Sequence, residues 1–107
     1  MGNPKPVRSE VWLIDFGIAA KVRPALVVSE PHGDEDRALI AVVPHTTSIR
    51  RSKYEIQVSP PFLKKNGVFL LQGFVTVPPA YFVKKLGMLS GSQMELIENG
   101  LRDWLSL

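Results

Sequence analysis

The chain contains no cysteine, so disulfides and thiolate metal sites are excluded and the redox compartment leaves no mark on it. No apolar run approaches the about 18 residues of a membrane span, and residues 1–10 lack the apolar stretch of a signal peptide. The expectation is a soluble, cytoplasmic protein. There is no glycine-rich phosphate loop, no His-x-x-x-His pair and no Gly-x-Ser-x-Gly elbow. No period of a repeat protein recurs and no segment is of low complexity. Charged residues, at 21%, are slightly sparse.

What remains is an ordinary globular composition. With 107 residues, 45% of them apolar, the chain is read as one domain over its whole length, residues 1–8 forming a flexible arm that contains Pro4 and Pro6. One real core can be built at this size. The net charge of +3 and pI near 9.5 are mild, but the bases are clustered: Arg50-Arg51-Ser52-Lys53, Lys64-Lys65 and Lys84-Lys85. Clustered bases favour an anionic partner. Asp34-Glu35-Asp36 sit together in one loop, where consecutive acids face water rather than a metal.

Short apolar runs bounded by turn residues dominate the pattern. Val11–Phe16, closed by Gly17, and Ala25–Val28 read as an antiparallel hairpin. Pro24 supplies no N–H, so it belongs at the first residue of a strand or on an edge, and it biases Arg23 towards an extended backbone. Ala38–Val43 is a third strand, followed by Pro44-His45-Thr46-Thr47-Ser48. Tyr54–Val58 alternates as a half-buried strand does, and Asn66-Gly67 marks a turn before strand Val68–Gln72. Gly73 kinks that strand into Phe74–Val77, and Tyr81–Leu86 is a last extended piece. In Ser92–Trp104 the apolar residues Met94, Ile97, Leu101 and Trp104 form a helical stripe, with Ser92 and Glu95 as a capping box. Gly100 costs that helix roughly 1 kcal/mol against alanine, so packing must carry it. The sum is a mainly β protein, a small curved antiparallel sheet or barrel, with a C-terminal helix packed on it.

Three buried strands meet polar groups at one end: Arg23 before one, Thr46-Thr47-Ser48 after another, Gln72 after a third. If the Ala25 and Ala38 strands are antiparallel neighbours, Arg23 and Thr46 share a sheet edge, with Arg50, Arg51 and Lys53 close by. A guanidinium fork beside hydroxyls and bases outlines a phosphate site. It suits RNA, whose 2′-OH is a built-in nucleophile that requires no metal in principle. Cleavage then needs charge stabilisation on phosphorus oxygens, a proton donor to the leaving 5′-oxygen and a base for the 2′-OH. Arg23 fits the first task and can assist the second; Thr46 can donate to a phosphate oxygen. His45 has a suitable unperturbed pKa, but strand alternation sends it to the face opposite Thr46, and a packing role is the reading taken. His32 lies in the acidic loop and is read as solvated. Trp12, Phe16, Phe69 and Trp104 are read as core or subunit interface.

These residues resemble a known family. Val11-Trp12-Leu13-Ile14-Asp15-Phe16, Arg23-Pro24-Ala25-Leu26-Val27-Val28-Ser29 and Val42-Val43-Pro44-His45-Thr46-Thr47-Ser48 are similar to the MazF/PemK toxins of toxin–antitoxin pairs. Asn66-Gly67-Val68 to Gln72 and the closing helix fall where that family has them. The resemblance implies an SH3-like small barrel with an appended helix, as also in the CcdB toxins, and a homodimer. It implies a cofactor-free, metal-independent endoribonuclease acting on single-stranded RNA at short motifs. A cognate antitoxin with an acidic tail is the implied protein partner. Residue by residue, the family's catalytic arginine falls on Arg23 and its catalytic threonine on Thr46. Gln72 matches a glutamine near the RNA groove, with Thr47, Ser48, Arg50, Arg51 and Lys53 as further RNA-binding candidates. Two departures stand out: Gly17–Val22 is short and holds no acid, so a general-base glutamate has no counterpart, and Leu71 stands where relatives often carry an acid. The alternatives are a gyrase-poison-like toxin of the same fold that binds a protein target, and a degenerate toxin that only binds its antitoxin.

Overall fold

In the computed structural model, which describes residues 5–17 and 21–107, three central strands carry the architecture. Strand β1 (Glu10–Asp15) pairs antiparallel with β2 (Val22–Val27), and β2 pairs antiparallel with β3 (Ile40–Thr46). Around them lie β4 (Glu55–Ile56), β5 (Val68–Leu70), β6 (Val75–Val77) and β7 (Phe82–Met88). Among the described residues the order is β4-β5-β3-β2-β1-β7, with β6 also on β3. The curved sheet expected from the sequence is present, but β4 and β7 do not pair, so it is not a closed barrel.

The middle strands read as unbroken apolar runs because both of their faces are buried. Val11, Leu26, Val43, Phe69 and Leu71 pack with Leu89, Met94 and Ile97 beneath helix α1 (Gly91–Leu105). The alternate residues Ile14, Ala25, Val27, Ile40 and Val42 pack with Val77 and Phe82 on the opposite face. Curvature makes the second core possible. The β1–β7 register shifts twice, between Val11 and Trp12 and between Leu13 and Ile14, and such irregularities bend and twist a strand.

Helix α1 is placed by packing and by its cap. Gly100 is buried where a Cβ would collide with Leu71 and lie 3.3 Å from Ile56 Cδ1, so the glycine lets the helix approach the sheet closely. The capping box is formed by Ser90 and Gln93, two residues before the pair expected from the sequence. Leu89 explains the choice: it is buried and its N–H donates to the Ser9 carbonyl at 2.9 Å. That fixes the chain just before Ser90, whose Oγ accepts the Gln93 N–H at 3.2 Å. Of the stripe, Met94 and Ile97 are buried and Leu101 is half-buried, while Trp104 is exposed and tilts against Tyr54 with ring centroids 4.8 Å apart.

Other expectations need correction. Tyr54–Val58 pairs only at Glu55–Ile56, because its partner β5 is three residues long and the following Ser59-Pro60-Pro61 turns away. Gly73 does not kink a continuous strand; a 3-10 turn, Leu71–Gly73, separates β5 from β6. Gly67 takes no positive φ; it is glycine for lack of space. Pro24 is the third residue of β2, opposite Leu13, rather than its first. Val28 donates its N–H to the Ala41 carbonyl at 3.0 Å, and alternation turns the Pro24 nitrogen to that same β3 side. The β2–β3 ladder ends at Ala25 opposite Pro44, so the donor that Pro24 lacks has no partner to miss.

Of the N-terminal arm, the described residues are held to the body. Pro6 is buried, Val7 N–H donates to Glu10 Oε1 at 2.8 Å, and Arg8 pairs with Glu98 on the helix. Glu10 is itself buried. Its Oε1 accepts from Trp12 Nε1 at 3.0 Å and its Oε2 pairs with Lys85 Nζ at 2.8 Å. Burial alone would raise this carboxyl, but the hydrogen bonds from Lys85, Trp12 and the Val7 N–H hold it below the ordinary glutamate value.

Candidate active site

The Arg23–Thr46 cleft lies just beyond the end of the β2–β3 ladder. Ala25, Leu26 and Val27 of β2 face Pro44, Val43 and Val42. Two residues further on in the same register Arg23 falls opposite Thr46, beyond the last paired residues, while on its other edge β3 pairs with β5, His45 with Phe69 and Thr46 with Val68. There a cleft of about 360 Å³ is lined by Arg23, Thr46, Thr47, Lys64, Lys65 and His45 over an apolar floor that includes Leu13, Phe62 and Leu86. Among the described residues no carboxylate lines it.

Each polar group is held for a local reason. Arg23 is half-buried on an extended strand stiffened by Pro24. Thr46 Oγ1 accepts the Ser48 N–H at 3.1 Å. The oxygen is thereby oriented by the backbone, and its proton remains free to be donated into the cleft. The ring of His45 is buried with an edge against Phe69, the centroids 5.1 Å apart. Loss of water lowers its pKa from the ordinary histidine value, which favours the neutral imidazole. Gly67 closes the other side of that ring: a Cβ there would strike the Thr46 carbonyl and lie 2.6 Å from His45 Cε1.

The sequence-derived candidates divide into two groups. Arg23, Thr46 and Thr47 come together in the cleft. Ser48, Arg50, Arg51, Lys53 and Gln72 do not line it. The loop after Ser48 is organised by Glu55, whose Oε1 accepts the N–H groups of Arg50 at 2.9 Å and Ser52 at 3.3 Å. Lys53 Nζ lies 5.1 Å from the Tyr54 ring centroid, and Gln72 is exposed on its 3-10 turn. The bases that do reach the cleft are Lys64 and Lys65. The signal for them was the doublet just before Asn66-Gly67, but only the path of the loop brings them to Arg23. Ile18–Ala20 of the short Gly17–Val22 connection lie outside the described residues. Among the described residues no three His, Cys, Asp or Glu side chains gather as metal ligands, Asp34-Glu35-Asp36 included, and no helix is long and apolar enough to cross a membrane.

Residues 7–105 match the family model of the PemK-like, MazF-like toxin of type II toxin–antitoxin systems. The chain belongs to this toxin family. No curated protein matches it in sequence. Solved structures match closely in shape. An endoribonuclease in complex with its cognate antitoxin, from mycobacterial species, superposes with a TM-score of 0.81 at 24% identity, covering 95% of this chain and 96% of that one. The Mycobacterium tuberculosis toxin MazF-mt6 gives 0.78 at 20% identity over 92% and 97% of the two chains. MazF from a MazE–MazF complex of Deinococcus radiodurans gives 0.79 at 19% identity over 98% and 99%. At such identities the likeness establishes the MazF toxin fold: the open seven-stranded sheet and C-terminal helix are the family's architecture.

Proposed function

We infer that this toxin is an endoribonuclease that cleaves single-stranded RNA at short sequence motifs through attack of the 2′-OH. The observation that carries the reading is the meeting of Arg23 and Thr46 in one cleft, opposite each other in the continued β2–β3 register. In the step proposed, the 2′-oxygen bonds to phosphorus and the P–O5′ bond breaks, giving a 2′,3′-cyclic phosphate and a 5′-hydroxyl end. Arg23 donates to the non-bridging oxygens as charge builds on them and hydrogen-bonds O5′, which takes its proton from water while the guanidinium keeps its own. The Thr46 hydroxyl donates to a second oxygen. With no carboxylate in the cleft lining, the 2′-OH proton leaves to water. The nucleophile belongs to the substrate, so the step needs no metal ion or cofactor.

The same cleft is the surface that an acidic antitoxin segment would cover, since Arg23, Lys64 and Lys65 attract carboxylates as they attract phosphates. MazF-like neighbours are solved with cognate antitoxins, which supports that partner here. A homodimer acting in the cytoplasm completes the proposal. Phe74 and Val75 are adjoining exposed apolar residues of the kind a dimer interface buries.

The test is incubation of the purified protein with a long unstructured RNA in excess EDTA, followed by mapping of the new ends. Cutting that survives EDTA and leaves 2′,3′-cyclic phosphates is the expected result. Intact RNA alongside inhibited DNA gyrase would replace this reading with that of a protein-directed poison.

A further inference from the structure

The loop of residues 60–67 is a wall shared by two depressions. Leu63, Lys64 and Lys65 line the Arg23–Thr46 cleft on one side. On the other they line a second depression of about 220 Å³ with Val58, Ser59, Asn66 and Gly67. The wall is anchored along its length. Leu63 N–H donates to the Pro60 carbonyl at 3.0 Å, and Gln57 Nε2 donates to Asn66 Oδ1 at 3.2 Å. Phe62 packs so tightly on Gly87 that a Cβ there would enter its ring, and Gly67 is wedged beneath His45. The two lysines are therefore mounted on a fixed ridge, and both are exposed. Neither belongs to an ion pair among the described residues, where the pairs are Arg8–Glu98 and Lys85–Glu10.

Two unneutralised ammonium groups on a fixed ridge hold an extended anion better than a single phosphate. A nucleic-acid strand with one phosphate on Arg23 and Thr46 carries its neighbours out of the cleft across a rim, and this rim is charged. The geometry points to the Lys64–Lys65 ridge as a second phosphate subsite, which leads the strand from the Arg23–Thr46 cleft into the depression beside Ser59 and Asn66. This rests on the proposed action on RNA and extends it: the ridge sets how many nucleotides beyond the scissile phosphate are gripped. Lys64 and Lys65 are positioning residues, acting on the strand rather than on the bond that breaks.

The probe is a 2′-O-methyl RNA of about twelve nucleotides, which cannot be cut by 2′-OH attack, with binding followed by fluorescence anisotropy across a salt series. Each phosphate contact on a single strand contributes about 0.7 to the slope of log affinity against log salt. Lys64→Ala with Lys65→Ala should lower the slope by about 0.7, the contribution of one phosphate, and Lys64→Arg with Lys65→Arg should restore it. Arg37→Ala with Arg102→Ala removes the same charge at exposed positions outside the cleft and should leave the slope as it was. A dinucleotide, too short to span both sites, should bind the ridge variant and the wild type alike. An unchanged slope in the ridge variant, or an equal fall in the Arg37/Arg102 control, overturns the subsite while RNA cleavage stands. Failure of the wild type either to bind or to cut RNA overturns both.

Discussion

Gly67→Ala is the change that most directly couples the core to the cleft. The added methyl would overlap the Thr46 carbonyl and lie 2.6 Å from His45 Cε1 and 3.0 Å from Nε2. Neither neighbour can yield cheaply. The carbonyl belongs to the β3 backbone, paired with β5 at Val68, and the imidazole is pinned on Phe69. Overpacking of a fixed site costs about 1–3 kcal/mol, and a backbone obstacle puts this one near the top of that range. Restricting the unfolded chain returns roughly 0.5–1 kcal/mol, leaving a net loss of about 2 kcal/mol. For a chain of this length that is a fall in Tm of roughly 8–10 °C, read by circular dichroism on heating. Because the displaced carbonyl is that of Thr46, RNA cleavage measured well below the Tm should fall too. Gly91→Ala serves as the control, with nothing within 4 Å of its added methyl. A Gly67→Ala protein that melts within a degree or two of wild type and cuts RNA at full rate would refute the wedge.

Four further outcomes follow from individual groups. Thr46→Val keeps the shape of the side chain but removes the hydroxyl donor and the acceptor for Ser48 N–H; single-turnover cleavage should drop about 10²–10³-fold with RNA affinity within a few-fold of wild type. His45 has a lower pKa folded than unfolded, so below the ordinary histidine value the unfolded chain binds the proton more readily. Stability should fall as the pH drops through that window, and denaturant melts of His45→Phe should lose this component. Cleavage by the wild type should keep rising above pH 7, since no carboxylate lines the cleft; a plateau set by a pKa below the ordinary histidine value would assign His45 as the base. Ser90→Ala removes the capping box and should cost about 1 kcal/mol in a urea titration, whereas Ser92→Ala should change little.

The legibility of the fold follows from how each element is stabilised. β1, β2 and β3 could be read directly because strands buried on both faces must be apolar throughout, and Leu26 and Ala25 do serve opposite cores. The expected helix start, Ser92 with Glu95, is two residues late, since Ser90 with Gln93 satisfies the same capping pattern. Only the tertiary anchoring of Leu89 on Ser9 decides between them. Glu10, the one buried carboxylate among the described residues, was not foreseen because its counter-ion Lys85 is brought to it only by the β1–β7 pairing, although Trp12 and Val7 are near in sequence. In the cleft, the juxtaposition of Arg23 with Thr46 followed from antiparallel register alone. The basic loop of residues 49–53, expected close by because it follows Thr46 in sequence, has its backbone gathered by Glu55 instead, and the bases in the cleft are Lys64 and Lys65. That substitution depends on Gly67 fitting under His45, a contact across more than twenty residues of chain that no local pattern encodes.

The central claim is that Arg23 stabilises the charge formed when RNA is cut. Single-turnover cleavage of a long RNA in EDTA by Arg23→Ala, set against the wild type with matched thermal melts, tests it most directly. The account predicts an unchanged Tm and a rate reduced about 10³-fold or more, with whatever products remain still ending in 2′,3′-cyclic phosphate. Cleavage at the wild-type rate by a folded Arg23→Ala protein would contradict it.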